Sequence, residues 1–491
     1  MLFNSYVYIL AFLPLTALVF FTLTRFRFLL AGKAWLVGAS LFFYAWWNPL
    51  YLPLIVASML GNYTIGTMLA QSRMGKGRRL SPSLAGKILA LGILLNLALL
   101  GYYKYADFFL KNVNSLAGAD LPLLHLVLPL AISFFTFQQI AYLVDSYRGE
   151  TEEYDFINYC LFVAFFPQLI AGPIVHHKEV MPQFARPRNA LVNWRNIATG
   201  ISVFSIGLFK KVIIADTFAI WASAGFDQAP VLPFFEAWAT SLSYTFQLYF
   251  DFSGYTDMAI GSALLFNIRL PINFNSPYKA VNIQDFWRRW HMTLSRWLRD
   301  YLYLPLGGNR KGEGRTYLNL FLTFLLGGLW HGAGWTFVLW GAMHGAGTAI
   351  HKFWQHLGLR LPRAAAWAVT FLFVHCSWVF FRATNFEDAL KVFRGMAGLS
   401  GIVLPKSLAS MVPGLQEFGI SFGRVYPGID GNSTLTIAII VFGAIVLFAR
   451  NSNELAERFR PNWSWALYVA ALGLVGLSGV TRVSEFLYFQ F

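Results

Sequence analysis

The chain is built from long apolar runs punctuated by short basic stretches. Residues 2–24 hold no Asp, Glu, Lys or Arg and are followed by Arg25, Arg27 and Lys33. Residues 34–71 are again free of formal charge and too long for one crossing. They predict two spans that turn near Asn48 and Pro49, with Trp46 and Trp47 at the interface. Arg73, Lys76, Arg78, Arg79 and Lys87 form the next basic stretch. The positive-inside tendency puts both basic stretches in the cytoplasm and the N-terminus outside. Residues 88–103 and 121–144 predict two more spans, joined by a loop holding Lys104, Lys111 and Asp120. The runs are continuous and do not alternate, which predicts helices and not the strands of a barrel. Residues 2–24 lack a basic leader and a small-residue cleavage site, so they predict a retained helix and not a cleaved signal.

Residues 159–175 (YCLFVAFFPQLIAGPIV) carry Pro167, Gly172 and Pro173, which break an ordinary helix. If they spanned, Lys178, Arg186, Arg188 and Arg195 would fall on the wrong side, so a re-entrant segment is predicted. Helical patterning resumes at 197–208, 234–249, 256–266, 318–329, 336–350 and 364–381 and, after a Gly- and Pro-containing loop, at 435–448 and 465–479. The predicted fold is all-α: a polytopic integral membrane bundle of roughly 11–14 helices, some re-entrant. One domain covers 1–491, with N-terminal spans at 1–150, a core at 151–395, an extramembrane loop at 396–433 and C-terminal spans at 434–491. No internal repeat is evident.

Composition agrees: 57% of residues are hydrophobic and 12% charged, against roughly 25% charged in soluble domains. The net charge of +15 follows largely from positive-inside loops and attraction to anionic membrane lipids. No soluble domain is long enough to carry nucleic-acid binding. Cys160 and Cys376, the two cysteines, lie in apolar segments and imply neither a disulfide framework nor a thiolate metal site.

Chemistry-bearing residues concentrate in three stretches. Residues 325–345 (LLGGLWHGAGWTFVLWGAMHG) are free of Asp, Glu, Lys and Arg, yet contain His331 and His344. A titratable side chain in lipid surroundings is costly and marks a functional candidate; imidazole moves protons near neutral pH. The alternative is a buried His bonded to a neighbouring helix. The flanking glycines let a backbone or a ligand approach closely. On one continuous helix His344 would lie about 20 Å from His331, so it is assigned to helix packing. Residues 282–309 (NIQDFWRRWHMTLSRWLRDYLYLPLGGN) place Phe286, Trp290, Leu294, Trp297 and Tyr301 on one helical face, with Arg288, Arg289, Arg296 and Arg299 elsewhere. Asn282 is the candidate N-cap. A cationic, tryptophan-rich amphipathic helix lies in the membrane interface; the functional alternative has the arginines gathering donor phosphates. His291 stands among them unexplained. In residues 247–261 (QLYFDFSGYTDMAIG), Asp251 and Asp257 flank Tyr255; intramembrane acids mostly pair with a cation, here expected to be arginine, and otherwise orient a catalytic His. His176 and His177 have no carboxylate at metal-ligand spacing, so no metal site is expected. P-loop, GxSxG and HExxH motifs are missing.

YFDFSGYTDMAIG, FWRRWH, WLRDYLYLPLGGNR and GLWHGA, in that order, resemble the membrane-bound O-acyltransferase superfamily, most nearly its bacterial alginate O-acetylase branch. The similarity runs from FYAWW and YKYA, through FFPQLIAGP, to the terminal FLYFQF. It implies that His331 of the WHG motif is catalytic and that His291 of the WRRWH motif is a second characteristic histidine. Arg288, Arg289, Arg296, Trp330, Asp251, Asp257 and Tyr255 are the substrate- or donor-binding candidates. It further implies a transmembrane tunnel and no tightly bound cofactor. Acetyl would pass from a cytoplasmic thioester such as acetyl-CoA to an exported polysaccharide, with an extracytoplasmic transferase- or esterase-like partner, in the bacterial inner membrane. Alginate or a similar exopolysaccharide is the first expectation for the acceptor, peptidoglycan the second and D-alanyl transfer to teichoic acid a weaker third. A proton-coupled transporter or flippase, and a passive scaffold, are the alternatives from other classes.

Overall fold

The computed structural model describes residues 1–74, 80–151, 155–481 and 487. Lys76, Arg78, Arg79 and most of the terminal FLYFQF lie outside the described residues. The all-α prediction holds. Five described helices are long and apolar enough to cross a membrane: Val7–Arg25, Pro49–Arg73, Pro82–Ala117, Trp194–Gln228 and Arg363–Arg382. Leu29–Ala45, Ser433–Phe448 and Trp463–Gly479 are apolar and shorter. The described residues form one sheet, a parallel pair of four-residue strands, Ile402–Pro405 and Ile420–Gly423, in the loop after the helix Phe386–Met396.

Two faces can be told apart by their contacts. On the basic face, Lys33 Nζ donates to Asn158 Oδ1, Thr24 Oγ1 to Ala190 O and Arg73 Nε to Tyr147 O. Asn451 Nδ2 joins this face by donating to Asn275 Oδ1. On the opposite face Tyr51 donates to Val127 O and Phe234 N to Gly401 O. The proline-broken segment leaves the basic face at Asp155, which caps the helix Phe156–Ala164 by accepting from Asn158 N. It breaks at Phe165 and returns to the same face, where Lys178 Nζ pairs with Glu150 at 2.6 Å. That is re-entrant geometry.

Other boundaries depart from the expected pattern. Residues 121–131 do not open a helix; Ile132–Arg148 begins only after Pro122, Pro129 and a left-handed Ala131, since proline both removes a donor and restricts its predecessor. The two spans predicted at 234–249 and 256–266 are one helix, Phe234–Leu265. The single amphipathic helix expected from Asn282 is two short ones, Ile283–Trp287 and Met292–Leu298, followed by a π-turn at Arg299–Tyr303. Asn282 does cap the first, accepting from Asp285 N. These pieces do not lie flat at the interface, because Phe286, Trp287, Trp290, Leu294 and Leu298 are buried in the bundle.

The centre of the bundle is the crossing of Trp194–Phe209 with Phe234–Leu265. Gly200 and Gly207 face Gly261 and Gly254, each pair one helix repeat apart. A Cβ on Gly207 would stand 2.6 Å from Gly254 O, and one on Gly261 2.6 Å from Gly200 O. Without a solvent-driven force between helices in lipid, such close backbone contact is what holds them. Just beyond the seam, Lys210 pairs with Asp257 at 2.7 Å and Lys211 with Asp251 at 2.5 Å and Asp216 at 2.9 Å. Gly207→Val is therefore expected to cost about 1–3 kcal/mol through overpacking and to lower the thermal unfolding midpoint of the detergent-solubilised protein. Gly38→Ala, inside the helix Leu29–Ala45, where an added Cβ meets nothing within 4 Å, is expected to leave that midpoint unchanged or raise it slightly.

Candidate active site

His331 is the last residue of the helix Glu313–His331, and the chain turns at once into Trp335–His356 through the extended Gly332 and Gly334. The hairpin packs backbone to backbone: a Cβ on Gly341 would sit 2.6 Å from Phe324 O, and one on Gly345 2.8 Å from Phe321 O. Glycine here serves helix approach. A helix that ends inside a protein leaves carbonyls to be satisfied, and the π-turn at Gly101–Tyr105 supplies the donors. Tyr105 Oη donates to Leu329 O at 2.7 Å, and Lys104 Nζ to Trp330 O at 2.6 Å and His331 O at 3.0 Å. The ammonium thus stands at the negative end of the helix dipole.

The His331 imidazole is buried among Trp330, Trp340 and Phe381, with ring centroids at 5.0, 5.1 and 5.2 Å. His291 lies 6.4 Å away, centroid to centroid, and is wholly buried. Its backbone is left-handed, φ 42°, a conformation that costs a non-glycine residue energy and clusters at functional sites. Asn273 fixes its tautomer. Asn273 Oδ1 accepts from Thr293 N at 3.2 Å and Thr293 Oγ1 at 3.0 Å; a backbone N–H can only donate, so this atom is the amide oxygen. His291 Nδ1, 3.1 Å from the same oxygen, therefore carries the hydrogen. In the neutral imidazole Nε2 then holds the lone pair.

Two cavities approach this pair and share no lining residue. One, of about 180 Å³, is lined by Trp47, Lys104, Leu128, Trp330 and His331 on the face opposite the basic one. The other, of about 690 Å³, opens on the basic face and reaches Met292 and Thr293. They approach from opposite faces, with His291, Asn273 and Trp330 between them. Arg288, Arg296, Arg299 and Lys352 line the larger vestibule. Arg296 is committed to a bidentate pair with Glu179, its Nη2 2.8 Å from Oε2, and Arg299 pairs with Asp300 at 2.7 Å. Arg289 pairs with Asp285 at 2.8 Å and does not line the vestibule. Among the described residues Arg288 and Lys352 have no ion-pair partner.

The model of MBOAT, the membrane-bound O-acyltransferase family, matches residues 125–387. The sequence is 48% identical to a peptidoglycan O-acetyltransferase of Helicobacter pylori, over all of this chain and 98% of that one. This chain belongs to the membrane-bound O-acyltransferase family. The acyltransferase is also 38% identical to a probable alginate O-acetylase of Pseudomonas putida, both chains being covered in full. It is 31% identical to a teichoic acid D-alanyltransferase of Bacillus subtilis, over 41% of this chain and 53% of that protein. Membership makes it a multi-pass membrane enzyme and removes the transporter and scaffold readings.

Several sequence-based candidates land elsewhere. Asp251 and Asp257 line neither cavity; they belong to the buried pairs with Lys211 and Lys210, structural as expected but with lysine and not arginine. Tyr255 stacks on Phe3 at 4.7 Å and itself lines neither cavity. His344 is a packing residue: its Nδ1 accepts from Trp287 Nε1 at 3.2 Å and its Nε2 lies 2.9 Å from Ser377 Oγ. The 20 Å separation inferred from a continuous helix is overturned by the hairpin, since Trp340 contacts both rings, at 5.1 and 4.7 Å. His176 and His177 do meet a carboxylate, Asp145, contrary to expectation. Lys104, Asn273 and Lys352 were missed. Only Lys104 carried a signal, a lone cation beside an apolar run. Lys104→Met is expected to reduce acyl transfer by about 10–10²-fold through misplacing His331, with Lys104→Arg retaining part of it, measured as turnover at equal membrane protein level.

Proposed function

We propose that the enzyme moves an acetyl group from a cytoplasmic thioester, acetyl-CoA or a carrier-bound equivalent, across the bacterial inner membrane for O-acetylation of peptidoglycan. The observation that carries this reading is His331 at the inner end of a cavity on one face, with a cationic vestibule rising toward it from the other. The basic face is the cytoplasmic one under the positive-inside tendency. A vestibule of about 690 Å³ suits a cofactor-sized donor, for which pockets run to roughly 300–1,000 Å³. Arg288 and Lys352 are the cations available for donor phosphates.

His331 then acts as general base. It takes the proton of an acceptor hydroxyl entering from the opposite face, and the oxygen attacks the thioester carbonyl. The new C–O bond forms as the C–S bond breaks, and the thiolate leaves and is reprotonated by the imidazolium. His291, with Nε2 as its basic nitrogen, orients or relays on the donor side. Peptidoglycan is placed ahead of alginate because 48% identity over the full length to a peptidoglycan O-acetyltransferase exceeds the 38% to the alginate O-acetylase. The outer cavity, about 180 Å³, adjoins a hollow of about 300 Å³ that shares Lys104 and Leu128 and reaches Gly332. This open side admits a hydroxyl-bearing segment of an extracytoplasmic partner protein as first acceptor, with the partner passing acetyl to the glycan.

In cells whose own copy is replaced, His331→Ala is expected to abolish peptidoglycan O-acetylation at unchanged protein level, consistent with a base worth about 10²–10⁴-fold. Persistent acetylation would sink the general-base assignment; loss from alginate but not peptidoglycan would reverse the choice of acceptor. Arg288→Gln and Lys352→Gln are expected to raise the donor KM about tenfold or more while kcat changes little, as the loss of a charge-assisted contact predicts.

A further inference from the structure

Away from the two cavities the fold gathers a second constellation. Asp145 ends the helix Ile132–Arg148, His176 and His177 begin the helix His177–Ala185 after the re-entrant break, and Tyr301 comes from the π-turn Arg299–Tyr303. Asp145 Oδ2 lies 2.8 Å from His176 Nε2 and 3.1 Å from His177 Nε2. Tyr301 Oη donates to the same oxygen at 2.7 Å and lies 2.9 Å from His176 Nε2. One carboxylate oxygen therefore takes three neighbours. Its twin Oδ1 has Arg148, at 3.9 Å. The Asp145 and His177 side chains are 1% exposed, while His176 is 22% exposed and leaves one side open.

Two imidazole nitrogens and a carboxylate oxygen, all within 4.8 Å of one another, form a donor set of the zinc type. Tetrahedral bonds of about 2.0–2.2 Å place ligand atoms about 3.3 Å apart; the oxygen–nitrogen separations of 2.8 and 3.1 Å are near that spacing, and rotation of the two imidazoles admits the ion. We propose that Asp145, His176 and His177 bind one divalent transition-metal ion of the zinc class, with the Tyr301 hydroxyl or a water completing the sphere. Loading uses the Nε2 lone pairs. His176 shifts its hydrogen to Nδ1 and gives up the 3.3 Å contact in which Nδ1 accepts from Lys178 N. The helix start stays capped, since Glu179 Oε2 accepts from His176 N at 3.1 Å.

The ion is structural in this reading. It ties the returning arm of the re-entrant segment to the helix whose Phe137 stacks on Trp330 at 5.0 Å. Two residues past His177, Glu179 holds Arg296 on the vestibule wall. The inference does not rest on the acyl-transfer mechanism.

The test uses the full-length protein in detergent, purified without a histidine tag. Metal content by mass spectrometry is expected to be about one zinc per chain after desalting. Replacement by Co²⁺ is expected to give the visible d–d absorption of a nitrogen-containing tetrahedral site. Both signals should be lost in His177→Ala and in the isosteric Asp145→Asn, and kept in His351→Ala. A chelator should lower the unfolding midpoint of the wild type but not of those two variants. Folded wild type that holds no metal and gives no cobalt spectrum overturns the proposal, whether or not the variants fold. So does a cobalt spectrum that persists in Asp145→Asn.

Discussion

The helix Glu313–His331 ends inside the protein, and the site depends on how its last carbonyls are satisfied. An unmet carbonyl inside a protein costs several kcal/mol in a hydrocarbon-like setting. Tyr105 and Lys104 meet three in succession, at residues 329, 330 and 331. Because these bonds go to main chain, they fix the position of the His331 backbone without touching its imidazole. The ring is left to be oriented by Trp330, Trp340 and Phe381. Backbone anchoring and side-chain orientation are thus separate tasks carried by different parts of the chain.

The same economy governs the charges. Asp251 and Asp257 sit about one and two-thirds turns apart on the Phe234–Leu265 helix, and Lys210 and Lys211 are adjacent on the π-turn at Lys210–Ala215. Breaking a buried pair by removing one partner costs about 3–5 kcal/mol, so all four residues are bound to their places. The pairs lie next to the glycine seam, where the two backbones come closest. Close approach shortens the reach a lysine must span, and the ion pairs in turn set the rotation of one helix against the other.

What could be read from the chain follows from which forces are local. Apolar run length gave the helices of the bundle, because burying backbone polar groups in lipid leaves no other choice. His331 stood out because a polar group in an apolar run is costly by itself, whereas His291, set among arginines, stood out only through the WRRWH resemblance. Boundaries failed where tertiary contacts override local pattern. The break at His291 depends on Asn273, eighteen residues upstream, and on the left-handed backbone that brings Nδ1 to it. Asp145 and His176 are 31 positions apart, too far for any spacing rule, and are joined only by the re-entrant fold. Arg288, Arg289 and Arg296 looked equivalent as letters; their neighbours Asp285 and Glu179 are what distinguish them.

Two cavities that approach one layer from opposite faces suit the proposed acyl transfer. A water-filled passage open at both ends would let protons and small ions cross, and would expose the proposed thioester donor to hydrolysis. A packed layer avoids both while remaining thin: the two histidine rings within it are 6.4 Å apart. Chemistry at such a layer needs groups on either side of one reacting carbon, not a path wide enough for the donor.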